Sequence, residues 1–198
     1  MHPALIQLVP ALKSRAALVE WAKSNSQQEL EAVWRICPDA RALLTLALPV
    51  TRKEDLLRVA CSCIRAASKG HKETRGFAKA LNTLEAYAGG KATWDAVKDS
   101  GEKVFQELGG SETDCTTAVF MATGIKDEPR YVIDVAETTA KALSDNDGAL
   151  VYDTGVGGLA PAKGAMTKAG ALKLLADVVR GTIPCPDIAS LQRLGDDR

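Results

Sequence analysis

Histidine and aromatic residues are scarce in this chain of 198 residues. There are two histidines, His2 and His71, and aromatic side chains make up 5% of the sequence. A Ser-His-Asp or Cys-His catalytic arrangement would have to use one of these histidines, yet His2 is terminal and His71 is predicted to lie in a loop. Asp134 and Glu137 are one helical turn apart, a spacing that is common on exposed helix faces. We therefore predict no catalytic residues, no enzyme activity and no cofactor.

An excess of charge of either sign is also missing, because 25 Lys and Arg residues balance 25 Asp and Glu residues. Nucleic-acid-binding proteins usually carry a basic surface that neutralises phosphates, so the balance excludes a globally basic surface but not a local patch. No apolar run reaches about 18 residues, the length that a membrane-spanning helix needs. Residues 1–6 lack the basic region and cleavage site of a signal peptide. We expect a soluble, cytoplasmic protein with no membrane partner.

The cysteines are few and irregularly spaced. An odd, scattered set does not form a disulfide framework, so we expect reduced thiols that pack as small apolar groups. Cys61 and Cys63 are two residues apart on a predicted helix, which turns their side chains about 200° apart. They cannot share one zinc ion, and only Cys63 falls on the apolar stripe of that helix. We predict no metal site. The five cysteines are Cys37, Cys61, Cys63, Cys115 and Cys185.

Alanine and leucine, by contrast, are abundant and recur at helical spacing. Small and unbranched side chains lose little rotamer freedom in a helix. Short loops separate most of the predicted helices, so neighbouring helices should be antiparallel. We predict an all-α fold of antiparallel helical hairpins, packed either as an orthogonal bundle or as a short α-solenoid-like array, in a single domain over residues 1–198. The clearest apolar stripe consists of Leu56, Ala60, Cys63, Ile64 and Ala67.

Polar residues mark the predicted helix starts. Ser26 with Glu29, and Thr51 with Glu54, have the spacing of a capping box, in which hydroxyl and carboxylate satisfy each other's backbone amides. Thr167 is predicted to cap the last helix, which follows a long interruption of the helical pattern.

That interruption covers residues 145–166 and is rich in glycine. A long loop in a compact domain is uncommon and is often functional. Glycines that lead into a helix offer free backbone amides to an anion, although Lys163 precedes Gly164 here, the reverse of the order in a Walker loop. A flexible loop and an anion site both remain open, and a polar tail follows from about residue 187. The candidate anion-binding residues are Gly155, Gly157, Gly158 and Lys163.

The densest group of basic residues spans the predicted end of one helix and the start of the next. Basic residues near a helix C-terminus are favoured by the helix dipole alone, and a run of charge is usually a solvated face. The functional alternative is a binding surface for an acidic partner or for nucleic acid. We call this group the basic cluster. Its members are Arg65, Lys69, His71, Lys72, Arg75 and Lys79.

Several apolar segments of the chain are packing motifs that recur in other helical proteins. They are Trp34-x-x-Cys37-Pro38, Leu43-Leu44, Val59-Ala60-Cys61-Ser62-Cys63-Ile64-Arg65, Leu84-Glu85-Ala86-Tyr87, Gly90-Lys91-Ala92, Leu175-Ala176-Asp177-Val178-Val179-Arg180 and Ile183-Pro184. In these segments the chain resembles a loose set of Ala-rich, all-helical bacterial proteins, some of which are similar to immunity proteins of toxin systems. The resemblance implies a role in binding another protein and supplies no catalytic residues.

Three classes of function are compatible with these observations. The favoured one is a non-enzymatic protein-binding module, an immunity or inhibitor protein of bacterial conflict systems that blocks an effector or toxin by steric occlusion. The second is a nucleic-acid or nucleoprotein accessory that uses the basic cluster. The third is an enzyme or small-ligand binder that uses residues 155–167 to hold an anion.

Overall fold

The computed structural model describes residues 20–21, 23–25, 28–68, 75–107, 114–145 and 166–186. Within these ranges all regular secondary structure is helical, which confirms the predicted all-α class. The helices numbered here are α1 (Leu30–Ile36), α2 (Ala40–Ala47), α3 (Lys53–Ser68), α4 (Arg75–Ala88), α5 (Trp94–Glu107), α6 (Asp114–Ala122), α7 (Tyr131–Asp145) and α8 (Lys168–Thr182).

Hydrogen bonds at the helix ends confirm one predicted cap and correct another. Thr167 caps α8 as predicted, because its side chain accepts a hydrogen bond of 3.1 Å from the amide of Gly170. Ser26 lies outside the described residues, but Glu29 does not occupy the position that the predicted capping box of Ser26 with Glu29 requires, so that prediction is wrong. Helix α1 begins at Leu30, so Glu29 itself occupies the N-cap position, and it makes no side-chain cap there.

Thr51 also acts differently from the prediction. Its hydroxyl donates a hydrogen bond of 2.8 Å to the carbonyl of Ala47, the last residue of α2. The amide of Leu56 instead bonds to the carbonyl of Arg52, immediately before the first residue of α3. Thr51 therefore satisfies a carbonyl at the end of α2 and does not form a capping box at the start of α3.

Helix α3 lies at the centre of the packing. It contacts α4, α6, α7 and α8, so it buries side chains on more than one face. Cys61 and Cys63 are each only 1% exposed, which confirms the prediction that they pack as small apolar groups. Cys61 lies off the predicted apolar stripe, and it is buried because α3 is covered on more than one side.

Helix α8, the last numbered helix, packs against helices from earlier in the chain. It packs against α2, α3 and α7 through the buried residues Leu172, Leu175, Ala176 and Val179. In a linear solenoid each repeat contacts only its neighbours in sequence, so the contacts of α8 with α2 and α3 favour a bundle over an array. Among the helices of the described ranges, none combines the length and the apolar composition that crossing a membrane requires.

A charged network connects α2, α7 and α8, and its Asp39–Arg41 pair is nearly buried. Asp39 caps α2 by accepting a hydrogen bond from the amide of Arg41, and the Arg41 guanidinium forms a two-point contact with the same carboxylate at 3.0 and 2.7 Å. Arg41 also lies 3.3 Å from Glu137 of α7, which in turn lies 3.1 Å from Lys168 of α8. The network therefore fixes how these three helices sit on one another.

A second arginine, Arg180, links α8 to α1. Arg180 of α8 donates hydrogen bonds to the carbonyls of Trp34 and Cys37, at 3.1 and 2.8 Å. These carbonyls lie at the end of α1, where helix geometry leaves carbonyl groups without a partner inside the helix. A cation is also favoured there by the helix dipole.

The hairpin of α4 and α5 turns at a glycine. Gly90 has a φ of 72°, which favours glycine because it has no Cβ. The Gly90 amide bonds to the carbonyl of Tyr87 and the Lys91 amide to that of Ala86, at 2.9 and 2.7 Å. This pair of bonds is a Schellman motif, which satisfies the last carbonyls of α4. The motif ends α4 sharply and returns the chain so that α5 packs alongside it.

Candidate functional site

The structure describes two side chains of the basic cluster, Arg65 and Lys79, and they have different surroundings. Arg65 forms a two-point ion pair across the helices with Glu85, at 2.6 and 2.9 Å, and donates a further hydrogen bond of 2.8 Å to Asn82. The charge of Arg65 is therefore balanced within the protein. Lys79 is exposed on α4. Lys69, His71 and Lys72 lie outside the described residues, as does the side chain of Arg75.

An open groove of about 770 Å³ lies between α4 and α5. We call it the α4–α5 groove. It has a size typical of a ligand-binding cleft, and its described lining consists mostly of residues with small side chains. One lysine comes from each of the two helices, and no acidic residue is among the described lining residues. They are Gly76, Ala78, Lys79, Asn82, Thr83, Ala86, Ala92, Ser100 and Lys103.

The α4 wall of the groove follows helical periodicity. Gly76, Lys79, Thr83 and Ala86 recur at intervals of three and four residues, which places them on one face of the helix. The opposite face carries Phe77, Ala80, Leu81 and Leu84 into the core. Helical periodicity therefore places the large apolar side chains of α4 in the core and mostly short side chains along the groove.

The polar groups of the groove are largely satisfied within the protein. The hydroxyl of Thr83 donates to the carbonyl of Lys79, and that of Ser100 donates to the carbonyl of Val97, each at 2.8 Å. The Asn82 side-chain oxygen accepts the hydrogen bond from Arg65. A partner in the groove would thus meet mostly short side chains together with two cationic ones, Lys79 and Lys103.

Aromatic packing holds the turn end of the hairpin in place. The rings of Tyr87 and Trp94 lie 4.9 Å apart, centroid to centroid, in a tilted arrangement. The ammonium group of Lys126, in the connection from α6 to α7, lies 5.8 Å from the Tyr87 ring centroid and 5.3 Å from that of Trp94. Cation–π contacts of this length are attractive. Arg58 of α3 adds a hydrogen bond of 2.8 Å to the carbonyl of Ala88, so the groove is built on a fixed hairpin.

The two carboxylates considered for catalysis, Asp134 and Glu137, both lie on α7. Glu137 belongs to the charged network through its ion pairs with Arg41 and Lys168, and Asp134 is half-buried. Across the part of the chain that the structure describes, no group of three or more His, Cys, Asp or Glu side chains could hold a metal ion. Gly155, Gly157, Gly158 and Lys163 lie outside that part, so the predicted anion site has no structural test.

The buried thiols are poor nucleophiles. The five cysteines are free thiols. Burial is the main cause that raises the pKa of Cys37, Cys61 and Cys63 from an ordinary value of 9.0 to about 12. The thiolate is the reactive form of cysteine, so these three side chains stay protonated and unreactive at neutral pH.

The α4–α5 groove was not predicted from the sequence. Lys79 was assigned to the basic cluster, but Lys103, 24 positions further along the chain, was not among the candidates. The available signal was the strip of small side chains on the exposed face of α4. The groove presents cationic and small side chains, and its described lining contains no carboxylate, imidazole or thiol group. Comparison of the chain with family models, curated proteins and solved structures found no match.

Proposed function

We propose that this protein is a non-enzymatic protein-binding module that blocks another protein by steric occlusion, as the resemblance to immunity proteins implies. The α4–α5 groove is the contact surface of this proposal. The observation that carries it is the form of the groove, in which a strip of small side chains lies open between two helices that are themselves fixed.

Rigidity of the hairpin supports binding by a preformed surface. Side chains and loops that must be ordered on association reduce the affinity. Here the turn is closed by the Schellman motif at Gly90 and anchored by the Tyr87, Trp94 and Lys126 contacts. The groove therefore needs little rearrangement when a partner binds, which suits a protein that acts by occupying another protein's surface.

The charge distribution makes a nucleic-acid accessory the weaker alternative. Affinity for nucleic acid depends on several cations that neutralise phosphates. Among the two cluster members whose side chains the structure describes, Arg65 is paired with Glu85 and Lys79 is exposed in the groove. Two lysines flanking short side chains suit a protein surface better than a phosphate backbone.

Site-specific photo-crosslinking tests the proposal. A benzophenone amino acid replaces Ala92, which lines the groove, and in a matched control it replaces Ala169, an exposed residue in the first turn of α8. Irradiation in cells of the native host should give a discrete protein adduct from position 92 and none from position 169. Equal adducts from both positions, or no adduct from position 92, would contradict the proposal.

A groove-filling variant shows whether the adduct at position 92 depends on the open groove. Ala86→Leu adds bulk to the groove floor on a half-buried face of α4, whereas Ala169→Leu adds the same bulk elsewhere. In the presence of the position 92 probe, Ala86→Leu should remove the adduct and Ala169→Leu should leave it. Thermal melting monitored by circular dichroism checks that both variants are folded.

A further inference from the structure

We infer that the α4–α5 groove binds an acidic amphipathic helix of the partner protein, with small aliphatic side chains facing the groove floor and carboxylates facing Lys79 and Lys103. This inference rests on the proposed function and adds to it the chemistry of the segment that is recognised. It follows from the backbone of the groove walls, from the size of the lining side chains and from the charges at the rim.

The walls of the groove favour a helix over an extended peptide. An extended peptide gains affinity by pairing its backbone with an exposed sheet edge. Both walls here are helices, α4 and α5, whose interior amides are bonded within the helix. An extended segment would find no free backbone partners on these walls, so it would gain none of the pairing that a sheet edge provides. A helix satisfies its own backbone and presents only side chains.

Small side chains allow that helix to approach closely. Gly76, Ala78, Ala86, Ala92 and Ser100 line the groove, and none extends beyond a methyl or hydroxymethyl group. Helices pack by placing the ridges of one into the grooves of another. A shallow strip of this kind accepts aliphatic side chains that recur every three or four residues along a single helix face.

Lys79 and Lys103 determine which charges the bound helix should carry on either side of its apolar face. Lys79 lies on α4 and Lys103 on α5, one on each wall, and both are exposed. The neighbouring cation, Arg65, is held by Glu85. A helix with Glu or Asp on both sides of its apolar face would place a carboxylate near each lysine, whereas a helix with Lys or Arg there would meet repulsion from both.

The test uses two synthetic helical peptides of about 16 residues, long enough to form several turns. Both carry Leu and Ala on one face, and their flanking positions are all Glu in one peptide and all Lys in the other. Binding to the full chain is measured by fluorescence anisotropy and by titration in NMR spectra. The Glu peptide should bind and the Lys peptide should bind at least about tenfold more weakly, as expected when two exposed ion pairs are replaced by repulsion.

Charge reversal in the protein provides the matched control. In Lys79→Glu/Lys103→Glu the preference should invert, so that the Lys peptide binds more tightly than the Glu peptide. Lys98→Glu/Lys173→Glu changes the net charge equally at exposed lysines outside the described lining, and it should keep the original preference. An inverted preference in the control variant would show a response to net charge and would overturn the inference.

The other outcomes also decide. Equal binding of the two peptides, or no binding of either, would overturn the inference of an acidic helix. A single-stranded RNA oligonucleotide that displaces the Glu peptide with higher affinity would reassign the groove to nucleic acid. None of these results bears on the crosslinking from position 92, so a protein adduct there would leave the proposed function standing while the acidic-helix inference fails.

Discussion

Removing the guanidinium of Arg41 should destabilise the fold more than most single substitutions. Its side chain is 12% exposed and that of its partner Asp39 is 7% exposed, so both charges are nearly buried. Burial works to lower the pKa of Arg41, but the hydrogen bond and charge of Asp39, with those of Glu137, outweigh it and raise the pKa. The two charges therefore depend on each other.

Arg41→Ala leaves the Asp39 carboxylate buried without its cation. Breaking a buried ion pair in this way typically costs about 3–5 kcal/mol of folding free energy. The lower end, about 3 kcal/mol, is expected here because Asp39 keeps its hydrogen bond from the amide of residue 41. Replacing both charges at once, as in Asp39→Asn/Arg41→Met, should cost less than about 2 kcal/mol, since no unpaired charge remains.

Urea denaturation followed by circular dichroism measures these differences. Arg35→Ala is the control, because Arg35 and Glu31 form an ion pair whose side chains are each 74% exposed. Such surface pairs contribute only about 0.3–0.5 kcal/mol. If Arg41→Ala were no more destabilising than Arg35→Ala, or if the double variant were less stable than Arg41→Ala, the reading of a mutually dependent buried pair would be refuted.

Two further predictions concern packing and pH. Gly124→Ala would place a Cβ 2.6 Å from the ring of Tyr131, so we expect it to lower the free energy of unfolding in urea by about 1–3 kcal/mol. Adding Tyr131→Ala to this variant should recover part of the loss. If the losses of the two single variants simply added in the double variant, the clash would not be the cause. Burial raises the pKa of Cys37, Cys61 and Cys63 to about 12 in the folded state, whereas their ordinary value of 9.0 applies to the unfolded chain. The contribution of these thiols to the free energy of unfolding should therefore be fully present below pH 9 and should be lost as the pH rises towards 12. Unfolding at several alkaline pH values should show a shallower fall in Cys63→Ala, and an unchanged slope would exclude this cause.

The helical class could be predicted because it depends on local patterns. The residues of the stripe from Leu56 to Ala67 are all buried in α3, and the cap at Thr167 needs only the residues beside it. Ser26 with Glu29 failed although its spacing was suitable. A capping box requires Glu at the third helical position, and the sequence alone did not specify that α1 begins at Leu30. Spacing shows which residues could pair, but the register of the helix decides whether they do.

The contacts between helices could not be predicted in the same way. Arg65 was assigned to a basic surface because its neighbours in sequence are basic, whereas its partner in the fold is Glu85, 20 residues further along. Lys103 lines the same groove as Lys79 because α5 packs alongside α4 after the turn at Gly90. Such pairings depend on the rotation of one helix against another, which single-helix periodicity does not determine.

The exposed lysines of the groove belong to a different part of the fold from the residues that stabilise it. The charged network links α2, α7 and α8, and the core centres on α3. The α4–α5 hairpin packs on α3 and α6 through buried side chains of both its helices, while Lys79 and Lys103 are exposed in the groove. Exposed side chains distant from the core usually change folding free energy by less than about 0.5 kcal/mol. The rim of the groove can therefore change its charges, and with them its choice of partner, while the bundle that presents it stays the same.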